Sequence, residues 1–273
     1  MPELPEVESI VSELKMSLPE KRIIGIRLLR KGLVSGLSFS EIKERLLGAK
    51  INDVRRRGKW AIIELANGYS LLFHLRMTGR LIYQKEFHPR RYLRLVLRLD
   101  PDSFLLYQDL RRLGVMHILP ADHLETVPPL SKLGAEPLSP DFTEERLKEL
   151  LSSSRLTIRD FLMDQRWIAG IGNVYSAEIL FSAALDPFKR ANELTGREPA
   201  RLHRAIIEVL ISAITKKGTT ISDYVTASGT PGEFQFELKV YNRENQPCIR
   251  CGSTVIRVKH RGRSLYFCPN CQR

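Results

Sequence analysis

Residues 127–142 read VPPLSKLGAEPLSPDF. Four prolines and a glycine deny this stretch a regular hydrogen-bond ladder, because proline lacks the amide proton that helix and strand interiors need. The hydrophobic period changes across it. Before it, apolar residues alternate with polar ones: Ile24, Ile26 and Leu28; Tyr69, Leu71, Phe73 and Leu75; Leu93, Leu95, Leu97 and Leu99, with Arg94 and Arg98 between. A period of two belongs to half-buried strands. After it, Leu202, Ile206, Val209, Leu210 and Ala213 fall on one face of a helix predicted over 199–216, with Gly218 as its stop. The stretch therefore reads as the connection between a β-rich half and a helical half. The fold class is α+β, with an N-terminal β-sandwich and flanking helices ahead of a helical part.

Shorter elements follow from the same rules. A leading helix is predicted over 5–18, with Val7, Ile10, Val11, Leu14 and Leu18 at helical spacing and Pro5 in the first turn, where a missing N–H is harmless. A helix at 39–47 has Ser38 and Glu41 as its capping box and Gly48 as its end. Beyond the proline-rich stretch, Asp141 is placed to cap a helix over 142–152, and helices are predicted at 157–164 and 174–184. TASGTPGEFQ (226–235) is a Gly/Pro loop long enough to move.

Lys plus Arg number 43 against 31 Asp plus Glu, a formal charge of +12. That balance suits a polyanion, nucleic acid before an anionic membrane surface. No apolar run reaches the length of a membrane span, and no basic region followed by an apolar stretch marks a secretory signal. A cytoplasmic protein is expected.

All four cysteines lie in the last 26 residues, as CIRC (248–251) and CPNC (268–271). The C-x2-C-x16-C-x2-C spacing fits a four-thiolate zinc site made by Cys248, Cys251, Cys268 and Cys271. Two disulfides or an iron–sulfur site would use the same residues, and a chain without an export signal argues against disulfides. Four thiolates leave zinc no open position, so its role is structural. The strand-forming stretches between the pairs suit a zinc ribbon, and they carry Arg257, Lys259, His260, Arg261 and Arg263. Residues 241–273 hold seven Lys/Arg and one acid, and subtracting two charges for zinc with four thiolates still leaves the tip positive.

Other candidates are weaker alone. GIGN (170–173) precedes a helix, where free N–H groups could meet a phosphate, although a turn and an N-cap at Asn173 explain it as well. Lys59, in RRRGKW, reads as a solvated lysine, and His74 as a structural histidine on the strand face opposite Phe73 and Leu75. At the start of the chain, Pro5 begins a helix and Glu3 complements its dipole, which leaves Pro2 unexplained.

Taken together, PELPEVE at the start, RRGKW, HLRMTG (74–79), DLRRLG (109–114), MDQRWIAGIGNVYSAEIL (163–180) and the terminal cysteine pairs resemble formamidopyrimidine-DNA glycosylase, in order and spacing over essentially the whole chain. Endonuclease VIII relatives begin with a Pro-Glu-Gly variant, so Leu4 favours the formamidopyrimidine branch. The resemblance implies a catalytic β-sandwich domain (1–130), a helix–two-turn–helix DNA-binding domain (131–235) and a zinc finger (236–273), with double-stranded DNA in the cleft between domains. It implies a monomer associated with the bacterial nucleoid, and excision of oxidised purines followed by strand cleavage at the abasic site. Pro2 would be the nucleophile once Met1 is removed, Glu3 the proton donor, and Glu6 the group that orients the terminus. Lys59 and Arg263 would assist catalysis at flanking phosphates, with Asn173 and Lys259 binding DNA. Met77, Arg111 and Leu113 would fill the gap left by the everted base. Two residues depart from the family pattern: Leu113 stands where phenylalanine is usual, and Arg76 where glycine is usual. Leucine wedges a base step but cannot stack on it as an aromatic ring does. Two alternatives remain at this point: an endonuclease VIII-like enzyme for oxidised pyrimidines, and a non-catalytic paralogue that binds damaged DNA.

Overall fold

The computed structural model describes residues 1–29, 32–34 and 36–273. The chain divides into two compact units, Met1–Ser131 with Lys216–Glu233, and Lys132–Thr215 with Phe234–Arg273. The first crossing falls inside the proline-rich stretch. The segment Lys216–Glu233, grouped with the helical domain in the division read from sequence, clusters instead with the first unit.

The first unit contains α1 (Leu4–Ser17), β1 (Ile23–Leu28), α2 (Phe39–Leu46), β2 (Ile51–Arg57), β3 (Trp60–Leu65), β4 (Tyr69–His74), β5 (Gly79–Gln84), β6 (Leu93–Leu99), β7 (Ser103–Asp109) and β8 (Val115–Pro120). These strands form two four-stranded antiparallel sheets, ordered β1-β6-β7-β5 and β2-β3-β4-β8. One core joins them. Leu81, Leu95, Leu97 and Leu105 come from the first sheet, Val54, Ile63, Leu71, Phe73 and Ile118 from the second, and Val7, Ile10 and Leu14 from α1. Each such side chain contributes about 1.5–3 kcal/mol on burial, so the core is what holds the sandwich.

The predicted alternation holds along β4, whose Leu71 and Phe73 enter this core. It fails at two bulges. The β1–β6 register slips between Ile23 and Gly25, so Ile23 is buried and Ile24 is 43% exposed. The β6–β7 register slips between Leu93 and Leu95, and Leu93 packs with Ile82, Val96 and Leu106 rather than with Leu95 and Leu97. An extra residue in one strand moves its neighbours to the other face, which a period-two count cannot register.

The α2 capping box is present: Ser38 Oγ accepts the Glu41 N–H at 3.3 Å, and the Glu41 carboxylate accepts the Ser38 N–H at 2.7 Å. Gly48 follows with φ of +80°, a left-handed turn that glycine adopts without strain.

The second unit holds α3 (Glu144–Ser152), α4 (Ile158–Met163), α5 (Asn173–Ala183), α6 (Glu198–Thr215) and the antiparallel ribbon β9 (Ile256–His260) and β10 (Arg263–Phe267). Asp141 is not the cap of α3. Thr143 is, its hydroxyl accepting the Arg146 N–H at 3.1 Å. Helix α5 is buried on nearly every side. Its Glu178 carboxylate accepts the N–H groups of Lys239, Val240 and Tyr241 at 2.9, 3.0 and 2.8 Å, which ties the chain entering the ribbon to the helix. At the far end of α5, Arg250 donates to the carbonyls of Phe181 and Ser182 at 2.6 and 3.0 Å and stacks on the Phe181 ring. The Phe181 carbonyl also accepts the Ala184 N–H at 3.1 Å, so Arg250 adds a second donor there and reaches on to the Ser182 carbonyl. Among the described residues no helix is long and apolar enough to cross a membrane.

Candidate active site and nucleic-acid interface

Pro2 is buried immediately ahead of α1, and Glu3 is the N-cap residue, 3% exposed. Glu3 and Glu6 form a reciprocal box: the Glu3 side chain accepts the Glu6 N–H, and Glu6 Oε2 accepts the Glu3 N–H at 2.7 Å. The other Glu6 oxygen, Oε1, accepts the Thr219 N–H at 2.8 Å. The Tyr224 hydroxyl lies 3.2 Å from the Glu6 carbonyl and 2.9 Å from that of Lys217, and burial followed by the Glu6 charge raises its pKa. These contacts explain why Lys216–Glu233 joins the first unit. It covers the polar side of α1, where Glu3, Glu6 and Ser9 are all buried. Gly218 fits there because a Cβ would stand 2.8 Å from Glu6 Oε1. The same segment carries the loop expected to move. Here it is tied down: Tyr83 donates to the Ala227 carbonyl at 2.9 Å, and the Ser228 N–H to the Glu13 carboxylate at 2.8 Å.

Lys59 is not a solvated surface lysine. It is 6% exposed, on the turn between β2 and β3. That turn is fixed to the first helix, since Arg56 Nε pairs with Glu8 at 2.6 Å and Arg56 Nη1 donates to the Gly58 carbonyl at 3.1 Å. Across the sheet, His74 meets the Trp60 ring edge-on with centroids 4.9 Å apart, and its Nδ1 accepts the Arg76 N–H at 3.2 Å. Burial, then the positive Arg76 and Lys59, pull the His74 pKa down to about 3. Its imidazole is neutral and structural.

Met77 and Leu113 are 41% and 47% exposed, and Arg111 is exposed beside Leu113. Leu110, 48% exposed on the same turn, was not singled out from sequence, where it read as one more residue of a motif. The Met77 and Arg111 turns are joined through Thr78, whose Oγ1 accepts the Arg111 N–H at 2.9 Å.

In the second unit, Asn173 opens α5 but does not cap it; Gly172 holds the N-cap position. The Asn173 amide is used otherwise: Oδ1 accepts from Arg159 at 2.8 Å, and Nδ2 donates to the Ser264 carbonyl at 3.0 Å. Asn173 is thereby joined to the ribbon next to Arg263. Arg263 lines a pocket of about 330 Å³ with Arg159, Arg166 and Arg261 against Asp160 and Asp164, so the pocket is net positive. Asp160 accepts from His260 at 3.0 Å and Arg261 at 3.1 Å, fixing the ribbon tip to α4. Lys259 lies exposed on β9 opposite Ser264 and is not among the lining residues.

The four cysteine sulfurs lie within 4.8 Å of one another. Cys248 and Cys271 are 3.8 Å apart and Cys251 and Cys268 3.5 Å, far longer than the ~2.05 Å of a disulfide. A tetrahedral zinc with bonds of ~2.3 Å places its sulfurs ~3.8 Å apart, so the donors fit that ion. All four positions would be thiolate, which leaves the ion a structural role at the base of the β9–β10 ribbon.

Three family models match in chain order. They are the formamidopyrimidine-DNA glycosylase N-terminal domain over residues 1–116, the formamidopyrimidine-DNA glycosylase H2TH domain over 133–225, and the zinc finger found in FPG and IleRS over 245–273. The chain is 42% identical over its whole length to the formamidopyrimidine-DNA glycosylase of Pelotomaculum thermopropionicum, 99% of which is covered. It is 40% identical, again over its whole length, to that of Rickettsia africae, with 99% of the relative covered. A complex of Lactococcus lactis Fpg with DNA containing an abasic site superposes with a TM-score of 0.92 at 34% identity, covering 99% of both chains. A structure of MutM with DNA containing carbocyclic 8-oxo-G gives 0.91 at 35%, covering 100% of both. Sandwich, H2TH domain and zinc finger together define a base-excising DNA glycosylase. The chain belongs to the formamidopyrimidine-DNA glycosylase family, whose members are bifunctional and couple base removal to abasic-site lyase activity. The zinc-finger match decides between zinc and an iron–sulfur site for the cysteine cluster.

Proposed function

We infer that this protein removes oxidised purines, 8-oxoguanine and formamidopyrimidines, from double-stranded DNA and then cleaves the strand by β,δ-elimination. The observation that carries the mechanism is the head of α1. Pro2 and Glu3 are consecutive and both buried there, and the Glu6 carboxylate accepts the Glu3 N–H at 2.7 Å.

With Met1 attached, Pro2 nitrogen is an amide and has no free electron pair to offer. Removal of Met1 gives a secondary amine. A free α-amino group titrates near pH 8, about two units below lysine, so more of it is neutral and nucleophilic at neutral pH. Its nitrogen bonds to the sugar C1′ while the damaged base leaves with the electron pair of the broken glycosidic bond. The nitrogen gives up its own proton, Glu3 protonates the ring oxygen, and breaking the C1′–O4′ bond opens the ring to an iminium ion that is positive without an added proton. This electron sink acidifies the neighbouring C–H bonds: loss of a C2′ proton expels the 3′ phosphate, and loss of the C4′ proton then expels the 5′ phosphate.

Lys59 and Arg263 assist at flanking phosphates, Asn173 and Lys259 add to the phosphate grip, and Met77, Arg111 and Leu113 occupy the space of the everted base. Along the chain the functional parts follow the division 1–130, 131–235 and 236–273, with Lys216–Glu233 packed into the first compact unit. The protein works as a monomer on the bacterial nucleoid in the cytoplasm.

Cleavage of a lesion panel tests the reading. Duplexes with 8-oxoguanine or formamidopyrimidine are cut well ahead of thymine glycol duplex, and Pro2→Gly cuts them far more slowly. Preference for thymine glycol, or no cleavage by the demethionylated protein, contradicts it. Binding that neutralises ~5 phosphates has a log K against log salt slope of about −4.5.

A further inference from the structure

The turns that carry Met77 and Arg111 are stitched together by one buried pair. Thr78 Oγ1 donates to Asp109 Oδ1 at 2.6 Å while it accepts the Arg111 N–H at 2.9 Å. Asp109 Oδ2 accepts the Gly114 N–H at 2.8 Å, just past Leu113. Arg94 Nε holds the Asp109 carbonyl at 3.0 Å from the neighbouring strand. Asp109 is fully buried and Thr78 is 7% exposed. Beneath the pair, the Tyr107 hydroxyl lies where side chains at Gly79 and Gly114 would begin, 2.7 and 1.6 Å from the positions their Cβ atoms would take. Both turns also hold a non-glycine residue in the left-handed region, Arg76 at φ +55° and Arg112 at φ +59°. Such backbone costs of order 1 kcal/mol or more and persists where the surroundings over-determine it.

The sequence pattern thereby gains a physical reading. Thr78, Gly79, Asp109 and Gly114 are buried or closely packed. The residues beside them, Met77, Leu110, Arg111 and Leu113, are exposed. Two exposed apolar side chains on adjoining turns gain nothing in the free protein, and holding them in place beforehand lowers the ordering cost of inserting them into a base stack. We propose that Thr78 and Asp109 are positioning residues that hold Met77, Arg111 and Leu113 as a single preset wedge. This inference rests on the glycosylase reading given above.

The test separates base eversion from the chemistry. Thr78→Val keeps the shape of the side chain and removes the hydroxyl that bridges the two turns. Single-turnover excision of 8-oxoguanine from duplex falls about tenfold or more, in line with loss of a buried hydrogen bond between the turns. Borohydride trapping on a single-stranded abasic oligonucleotide, which needs no eversion, stays within about twofold of wild type. Thr78→Ser, which restores the hydroxyl, recovers duplex excision. A 2-aminopurine beside the lesion brightens on binding wild type and Thr78→Ser but not Thr78→Val. Wild-type duplex excision by Thr78→Val overturns the proposal, and so does an equal loss on duplex and single strand. Failure of the wild-type protein on both substrates removes the glycosylase reading itself, a result distinct from either.

Discussion

The Glu6 carboxylate accepts the Glu3 N–H at 2.7 Å on Oε2 and the Thr219 N–H at 2.8 Å on Oε1. One buried side chain thus holds both the residue after the candidate nucleophile and a segment more than 200 positions later in the chain. Glu6→Ala leaves two buried N–H groups without that acceptor, at about 1–3 kcal/mol each. Thermal unfolding of the variant falls by several degrees, and trapping on abasic DNA slows at least tenfold. Glu6→Gln keeps one acceptor oxygen and loses less on both measures. An unchanged trapping rate in Glu6→Ala would show that this carboxylate does not orient the terminus.

His74 gives a pH dependence of definite sign. Its folded pKa lies at about 3, with burial the largest cause and Arg76 and Lys59 next. In the unfolded chain it titrates near 6.5. Above that value both states are neutral and the residue has no effect on the folding equilibrium. As pH falls from about 6.5 toward about 3 the unfolded state takes up a proton that the folded state refuses, so stability is lost by up to about 1.4 kcal/mol per pH unit. His74→Phe removes this slope while the aromatic contact with Trp60 is kept. Urea melts at pH 7 and pH 5 check it: the wild type loses more stability than the variant over that interval.

Glu178 is the buried carboxylate on which the entry to the finger hangs. Burial raises its pKa, and three backbone N–H donors pull it back. Glu178→Ala costs about 3 kcal/mol or more, because those donors lose their acceptor. Calorimetry detects the loss, and binding to duplex weakens with it because the ribbon carrying Arg263 loses one of its anchors to α5.

Zinc removal acts on the same ribbon. The cysteine sulfurs lie at its base, and β9 and β10 have little apolar core of their own: Val255, Tyr266 and Cys268 pack with Ala177, Phe181 and Val240. Chelation lowers duplex affinity by at least tenfold and leaves the far-ultraviolet signal of the sandwich intact. Restored binding on adding zinc back completes the measurement.

Elements governed by local chemistry were legible in the sequence. The α2 box depends on Ser38 and Glu41, three residues apart, and the ribbon depends on cysteine spacing. Sequence alone places the α3 cap at Asp141, two positions early; Thr143 holds it because it directly precedes the first helical residue. The bulges at Ile23 and Leu93 were invisible because they exist only in pairing with a partner strand. Long-range polar anchors were invisible for the same reason. Glu178 reads as an ordinary helix residue until the turn at 239–241 closes on it, and Glu6 until Thr219 arrives. In the candidate site, residue types indicated chemistry, but the burial of Lys59 and the bridge from Asn173 to Ser264 required tertiary structure.

The nucleophile is tested most directly by borohydride reduction with abasic-site DNA, followed by proteolysis and mass spectrometry of the cross-linked peptide. The account predicts an N-terminal peptide that lacks Met1 and carries the sugar on Pro2 nitrogen. An adduct on Lys59 or another lysine, or full strand cleavage by protein that retains Met1, would contradict it.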